Sequence, residues 1–433
     1  MSDVPDPLPV TPTGPVDADV RVPGSKSITN RALAVAALAG GRSELHGALV
    51  ADDREVMVAG LRKLGIAVEG DGETVVVQGA GGRIPATTAE LDLRLSGTAI
   101  RFLAAICALG HGSYRLDGTA RMRERPIDDL LEALRALGVD AVDELGSGCP
   151  PVRIDAAGLP GGTVQVAGDR SSQFLSALLM VAPAARGPVR IEVTGELASK
   201  PFADMTTSVM AAFGVTVQRE GYRAFEVEPS RYRPRSFAIE ADAMAAGYFW
   251  AAAAVTGGRV RTSGIGRDSV QGDRRLVEVL AEMGCRVEAD DDATVVVGPA
   301  AGRLRGGVFD LNDMPDQAQT LAVVALFADE PTRIENVWNL RIKETDRLRA
   351  LARELARLGA AVEEEESAIT VNPLVAGELR SPVAIETYGD HRMAMAFAVA
   401  GTRLPGVSLR DPGCVAKTYP GFFEDWARLR GRR

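Results

Sequence analysis

Lysine is scarce in this chain. Of 49 basic residues only five are lysine (Lys26, Lys63, Lys200, Lys343 and Lys417), and the rest are arginine. Arginine keeps its proton at any ordinary pH, whereas lysine gives it up when its surroundings demand it. A lysine retained inside a motif is therefore a candidate for amine chemistry. Histidine is scarcer still, with only His46, His111 and His391. The four cysteines, Cys107, Cys149, Cys285 and Cys414, lie far apart and form no C-x-x-C pair. That pattern argues against a disulfide framework or a zinc site and predicts reduced thiols in a cytoplasmic protein. No apolar run approaches the ~18 residues of a membrane span. The net charge of −9 lacks the basic surplus that nucleic-acid phosphates require. Neither a membrane nor a nucleic-acid partner is expected. MSDVPDPLPVTPTGPV has five prolines in its first fifteen residues and no signal-peptide pattern, so it predicts an extended lead-in. The closing RLRGRR predicts a solvated tail.

What is present reads as a soluble α/β protein. Apolar residues make up 46% and charged residues 25% of 433 residues, a length of roughly three domains. Two patterns recur along it. The first, approximately L-x-x-L-G-x-x-V, places glycines at Gly65, Gly138, Gly214, Gly284 and Gly359, with spacings of 73, 76, 70 and 75. Each copy reads as a helix end, a glycine stop and a strand. The second is a turn rich in Gly, Asp and Ser that opens a small-residue apolar helix. Its copies begin near Gly24, Gly97, Asp169, Asp242, Asp316 and Asp390. Together they define six units of about 70 residues. The sixth lacks its closing strands, and the lone strand ADVRV near the N-terminus is expected to complete it. The Arg/Pro-rich RYRPRSF suits a crossing between two lobes. The expected division is residues 24–238 for units one to three, and 239–433 with the N-terminal strand of 1–23 for units four to six. A ligand cleft between lobes is the natural expectation.

Helix N-termini attract anions, and the turns of the second pattern carry side chains that suit them. These are Lys26, Ser27 and Arg31; Gly97 and Thr98; Ser171, Ser172 and Gln173; His391 and Arg392. RMRERPI, NLRIKETDRL and DPGCVAKTYP add further cations. So many cations in a chain of net −9 predict a multiply anionic ligand. Acid/base candidates are Asp316, Glu344, the lysines and His391.

Taken in order, PGSKSITNR, SGTAIRF, RMRERPI, SSQFLSALLM, SKPF, NDMPDQAQT, NLRIKETDRL, YGDHRMAM and DPGCVAKTYP closely resemble the 5-enolpyruvylshikimate-3-phosphate (EPSP) synthases of the enolpyruvyl transferase family, over residues 20–426. The resemblance implies a two-domain inverse α/β barrel of six βαβαββ repeats, three per domain, in agreement with the six units counted from spacing. It implies transfer of the enolpyruvyl group of phosphoenolpyruvate to the 5-hydroxyl of shikimate 3-phosphate, in aromatic amino acid biosynthesis. No cofactor or metal is implied. Shikimate 3-phosphate would contact Lys26, Ser27, Arg31, Ser171, Ser172, Gln173, Ser199, Asp316, Asn339 and Lys343. Phosphoenolpyruvate would contact Lys26, Gly97, Arg125, Gln173, Arg347, Arg392 and Lys417. Asp316 would be the base and Glu344 the acid, with Lys26 assisting. Glyphosate, which occupies the phosphoenolpyruvate site in this family, would inhibit. A monomer is expected.

The sequence departs from the family's usual pattern at Leu95, Ser96, Phe102 and Phe202, which bears on affinity more than on reaction type. The related UDP-N-acetylglucosamine enolpyruvyl transferases often carry a reactive cysteine on the loop that here spans 110–127, and this loop has none. A non-catalytic phospholigand-binding protein would not need Asp316, Glu344 and Lys26 together. A purely structural repeat protein would not need Ser-Ser-Gln and Arg-rich turns in one phase.

Overall fold

A computed structural model describes residues 5–300, 303–375 and 381–429. The five repeat glycines all take left-handed φ values: 85° at Gly65, 85° at Gly138, 87° at Gly214, 111° at Gly284 and 109° at Gly359. A Cβ is penalised in that region, and a left-handed residue ends a helix by turning the chain away. Each glycine follows an outer helix and leads into a strand, as the spacing predicts.

Twelve α-helices lie among the described residues: α1 (Lys26–Leu38), α2 (Asp52–Lys63), α3 (Gly97–Cys107), α4 (Asp128–Ala136), α5 (Ser172–Val181), α6 (Lys200–Ala212), α7 (Ala243–Thr256), α8 (Leu276–Glu282), α9 (Ala318–Ala325), α10 (Arg347–Leu358), α11 (His391–Gly401) and α12 (Phe422–Ala427). The odd-numbered helices are those opened by the second pattern. Every residue of α3, α7, α9 and α11 is buried. A helix that is apolar all round must be covered all round, and alanine-rich surfaces let such helices approach closely. Accordingly α1, α3 and α5 pack together, as do α7, α9 and α11. The even-numbered helices α2, α4, α6, α8 and α10 are amphipathic. In α10 one face buries Leu348, Leu351, Leu355 and Leu358.

Five four-stranded sheets share one plan, and a three-stranded sheet follows part of it. In one of them Thr88–Asp92 runs parallel to His111–Asp117, which pairs antiparallel with Val152–Ala157, and that strand pairs antiparallel with Asp140–Asp143. With α3 and α4 between its strands, this is a βαβαββ unit.

The leading strands of units one and four are exchanged. Asp17–Val20 precedes α1 in sequence but pairs parallel with Arg259–Ser263 of unit four, in the register Asp17↔Arg259. Ser236–Ala238 precedes α7 but pairs parallel with Gly40–His46 of unit one. The expectation that ADVRV completes the sixth unit is therefore corrected. The sixth sheet, Val383–Ile385 with Val407–Leu409, instead gains Leu8–Pro9 as an antiparallel edge. Its prolines disguised this strand in the sequence, but an edge strand tolerates proline. The end of the closing RLRGRR, from residue 430 onward, lies outside the described residues.

The chain divides into two compact units. One is Gly24–Ile239; the other joins the residues up to Pro23 with those from Glu240 onward.

Candidate active site

In the unit Gly24–Ile239, site residues gather at helix N-termini. Ser25, Ser96 and Ser171 cap α1, α3 and α5, accepting from the amides of Ile28, Ala99 and Gln173 at 3.4, 3.4 and 3.3 Å. Ser171 thus has a capping task, while Ser172 beside it is buried at the start of α5. Ser27, in the first turn of α1, is half-buried. Lys26 faces Asp53 of α2, with Nζ 3.6 Å from Oδ2. Ser199 introduces α6 at a left-handed φ of 58°.

Gly97 is required by its neighbour. A Cβ there would lie 2.5 Å from Nη2 and 2.7 Å from Cζ of Arg125, so the guanidinium rests directly on the helix start. Arg125 is 5% exposed and donates from Nη1 to the Leu95 carbonyl at 3.3 Å. Its companions in RMRERPI turn elsewhere: Arg121 pairs with Glu124, and Arg123 pairs with Asp117. Gln173 is held from two sides. Its Oε1 accepts from Arg101 Nη1 at 2.7 Å, and its Nε2 donates to Thr98 Oγ1 at 3.4 Å. Arg101 also donates to the Pro126 carbonyl at 2.9 Å and lies over the Phe174 ring. Arg101 and Asp53 escaped the sequence reading. The available signal for Arg101 was its i,i+4 spacing from Gly97, which puts both on one helix face.

Arg31 is held from several sides. It is 1% exposed, with Nε donating to Thr206 Oγ1 at 2.7 Å, Nη2 to Ser176 Oγ at 3.1 Å and the Phe202 carbonyl at 3.3 Å, and Nη1 to the Ser27 carbonyl at 3.0 Å. The two family departures Phe102 and Phe202 flank its guanidinium, at 5.4 and 5.7 Å to the ring centroids. Burial pulls its pKa down to about 9. Four of its N–H groups are thus committed to α1, α5 and α6.

In the other unit the site is a network of charges around Arg347, the first residue of α10 and 1% exposed. Its Nε donates to Asp390 Oδ2 at 2.7 Å, Nη1 to Asp316 Oδ1 at 2.9 Å and Nη2 to Glu344 Oε2 at 2.9 Å. Arg392 Nη2 reaches Asp316 Oδ2 at 2.9 Å, Lys343 Nζ lies 3.6 Å from Asp316 Oδ1, and Lys417 Nζ contacts Glu344 Oε1. Burial works against the charge on Arg347, but Asp390, Glu344 and Asp316 more than reverse this and raise its pKa. Arg392 follows the same logic, with Asp316 as the main opposing charge. The Gln319 amide fits with its oxygen toward Arg347 Nε at 2.9 Å and its nitrogen on the Asp316 carbonyl at 3.1 Å. Asn339 is buried nearby in sequence, on the short helix Trp338–Ile342 that leads to Lys343 and Glu344.

Asp390 caps α11 by accepting from the Arg392 amide at 2.9 Å while it neutralises Arg347. It was read only as a turn residue. His391, an acid/base candidate in the sequence, is fully buried with Nδ1 3.6 Å from Asp390 Oδ1. Lys200 pairs with Glu196, and exposed Lys63 donates to the Glu90 carbonyl, so neither joins these groups.

This arrangement can bind several anionic groups and move protons through paired carboxylates and ammonium groups. Among the described residues no helix is long and apolar enough to cross a membrane. The family model for EPSP synthase (3-phosphoshikimate 1-carboxyvinyltransferase) matches residues 10–426. A 3-phosphoshikimate 1-carboxyvinyltransferase of Shewanella denitrificans is 45% identical over 427 residues, covering 98% of each chain. One from Laribacter hongkongensis is 47% identical over 429 residues, covering 98% of this chain and 99% of its own. Among solved structures, an EPSP synthase from Acinetobacter baumannii superposes with a TM-score of 0.79 at 24% identity, covering 98% and 97% of the two chains. The enolpyruvyl transferase NikO from Streptomyces tendae gives 0.77 at 20% identity, covering 97% and 96%. These likenesses in structure concern the fold, the two-domain α/β architecture of enolpyruvyl transferases.

Proposed function

The chain belongs to the EPSP synthase family, and from that premise we propose which of its residues perform the reaction. The enzyme transfers the enolpyruvyl group of phosphoenolpyruvate to shikimate 3-phosphate. Chemically this is an addition followed by an elimination. Protonation of C3 of phosphoenolpyruvate leaves cationic character at C2. The 5-hydroxyl oxygen of shikimate 3-phosphate attacks C2 and loses its proton, giving a tetrahedral ketal. The ketal expels phosphate and releases a proton from C3, leaving the enol ether.

Asp316 takes the hydroxyl proton. Glu344 delivers the proton to C3 and recovers it on elimination, with Lys417 at its Oε1 and Lys26 assisting. Proton transfers of this kind contribute roughly 10²–10⁴-fold each. The anionic groups of phosphoenolpyruvate are met by Lys26, Gly97, Arg125, Gln173, Arg347, Arg392 and Lys417. Shikimate 3-phosphate is met by Lys26, Ser27, Arg31, Ser171, Ser172, Gln173 and Ser199, and by Asp316, Asn339 and Lys343. Cations already fixed by neighbours need little reorganisation as charge develops. We further infer a cytoplasmic protein that works as a monomer and is inhibited by glyphosate.

The observation that carries this reading is the attachment of Asp316 and Glu344 to one buried guanidinium, each at 2.9 Å. The test is phosphate release from phosphoenolpyruvate with shikimate 3-phosphate as acceptor, with UDP-N-acetylglucosamine run in parallel. Release with shikimate 3-phosphate alone is expected. Release only with the nucleotide sugar would reassign the acceptor, and release with neither would leave a binding protein.

A further inference from the structure

Glu354 has no part in the chemistry described so far, yet it is a fully buried carboxylate on α10. It lies seven residues, two helical turns, beyond Arg347, so the two share a face. Both are tied to the same short stretch of chain. Glu354 Oε1 accepts from the Tyr388 hydroxyl at 2.8 Å, and Oε2 accepts from the Glu386 amide at 3.1 Å and from Arg357. Arg347 holds Asp390. Between these anchors the chain makes a tight turn closed by the Asp390 amide on the Thr387 carbonyl at 2.9 Å. Tyr388 and Gly389 have φ of 57° and 65°, the pattern of a type I′ turn. A left-handed tyrosine is strained and persists only where its surroundings enforce it. Burial and the Glu354 carboxylate hold the Tyr388 phenol up at about 12, so it stays a donor.

Resting on the reaction proposed above, we propose that Glu354 and Tyr388 are positioning residues: they hold the Thr387–Asp390 turn in its left-handed form, and through Asp390 they aim Arg347 and Arg392 at Asp316 and phosphoenolpyruvate. One end of the turn is pinned by Glu354 and the other by Arg347. Loosening the first lets Asp390 and the start of α11 shift together, which displaces two cations at once.

The clean test removes one oxygen. Tyr388→Phe is expected to raise the KM for phosphoenolpyruvate and lower kcat, giving a loss in kcat/KM of about tenfold, a fraction of the hundredfold that a 1 Å misplacement costs. The KM for shikimate 3-phosphate should stay within about twofold, because its contacts lie largely in the other unit. Glu354→Gln keeps one acceptor oxygen for three donors and should show the same split. Val371→Ala, a buried strand residue outside α10 and the turn, supplies a loss of stability without the positioning effect. The proposal is overturned if Tyr388→Phe lowers Tm as Val371→Ala does and leaves the phosphoenolpyruvate KM equally untouched. If Glu354→Gln does not fold, Tyr388→Phe decides alone. Absence of turnover in the unsubstituted enzyme would instead reject the proposed function, and this inference with it.

Discussion

Asp316 and Glu344 are 28 residues apart in sequence, yet they hang on the two terminal nitrogens of a single guanidinium, that of Arg347, each at 2.9 Å. A planar, permanently charged fork fixes both distance and orientation. The proposed base and acid are therefore set relative to one another by one buried side chain.

Asp316→Asn and Glu344→Gln keep shape and remove proton affinity. Each should lower kcat by roughly 10²–10⁴-fold in a phosphate-release assay. Glu344→Gln should leave the calorimetric affinity for shikimate 3-phosphate nearly unchanged, since only Asp316 is assigned to that substrate. A variant with full kcat would remove its residue from the assigned role.

Asp390→Asn strips the closest partner from a buried cation. Breaking one side of such a pair costs about 3–5 kcal/mol, and the remaining Asp316 and Glu344 place the expected loss near the lower end. Urea unfolding measures it. A change under about 1 kcal/mol would mean that those two carboxylates suffice.

Gly97→Ala introduces a Cβ 2.5 Å from Arg125 Nη2. The guanidinium must move off the start of α3, and the KM for phosphoenolpyruvate should rise by about tenfold or more, the cost of roughly 1.4 kcal/mol of lost binding. Glyphosate should inhibit the unsubstituted enzyme competitively with phosphoenolpyruvate and inhibit Gly97→Ala less. A titration showing no inhibition at saturating glyphosate would reject its proposed binding there.

The buried thiols should weaken the fold in alkali, against an opposite pull from Arg31, whose pKa burial lowers to about 9. Burial pushes the thiols of Cys285 and Cys414 from 9.0 up to about 12 and raises Cys107 as well. Between those limits the folded thiols keep protons that the unfolded ones lose, so their contribution to stability is full below pH 9 and is lost as pH rises toward 12. Unfolding midpoints taken under reducing conditions at increasing pH should decline across this window. Cys285→Ala should make the decline shallower; an unchanged slope would remove Cys285 as a contributor.

The architecture was legible because it repeats. Five glycines at near-equal spacing, each needed at a left-handed helix end, mark the units without any knowledge of pairing. The destination of Asp17–Val20 was not legible, because its alternation is the same whichever sheet receives it and its partner is over 200 residues away. Lysine scarcity drew attention to Lys343 and Lys417, which do enter the charged network of Arg347. Arg31 shows the limit of such reading. The groups that hold its guanidinium, Thr206, Ser176 and two phenylalanines, come together only after folding. Asp53, Arg101, Glu354 and Asp390 were missed for one reason: each acts by holding another side chain, a relationship that exists only after folding.

The exchanged leading strands impose a schedule on synthesis. Gly24–Ile239 holds all its own strands, so it can close once Ser236–Ala238 has emerged from the ribosome. Asp17–Val20 is made earlier but stays without a partner until Arg259–Ser263 appears, and Leu8–Pro9 waits longer still, for Val407–Leu409. A strand left waiting is a template for wrong pairing unless its edge is blunted. Prolines at positions 5, 7, 9, 12 and 15, with Asp17 and Asp19 beyond them, supply that blunting. The lead-in that looks least like structure is thereby suited to remaining harmless while the rest of the chain is still being made.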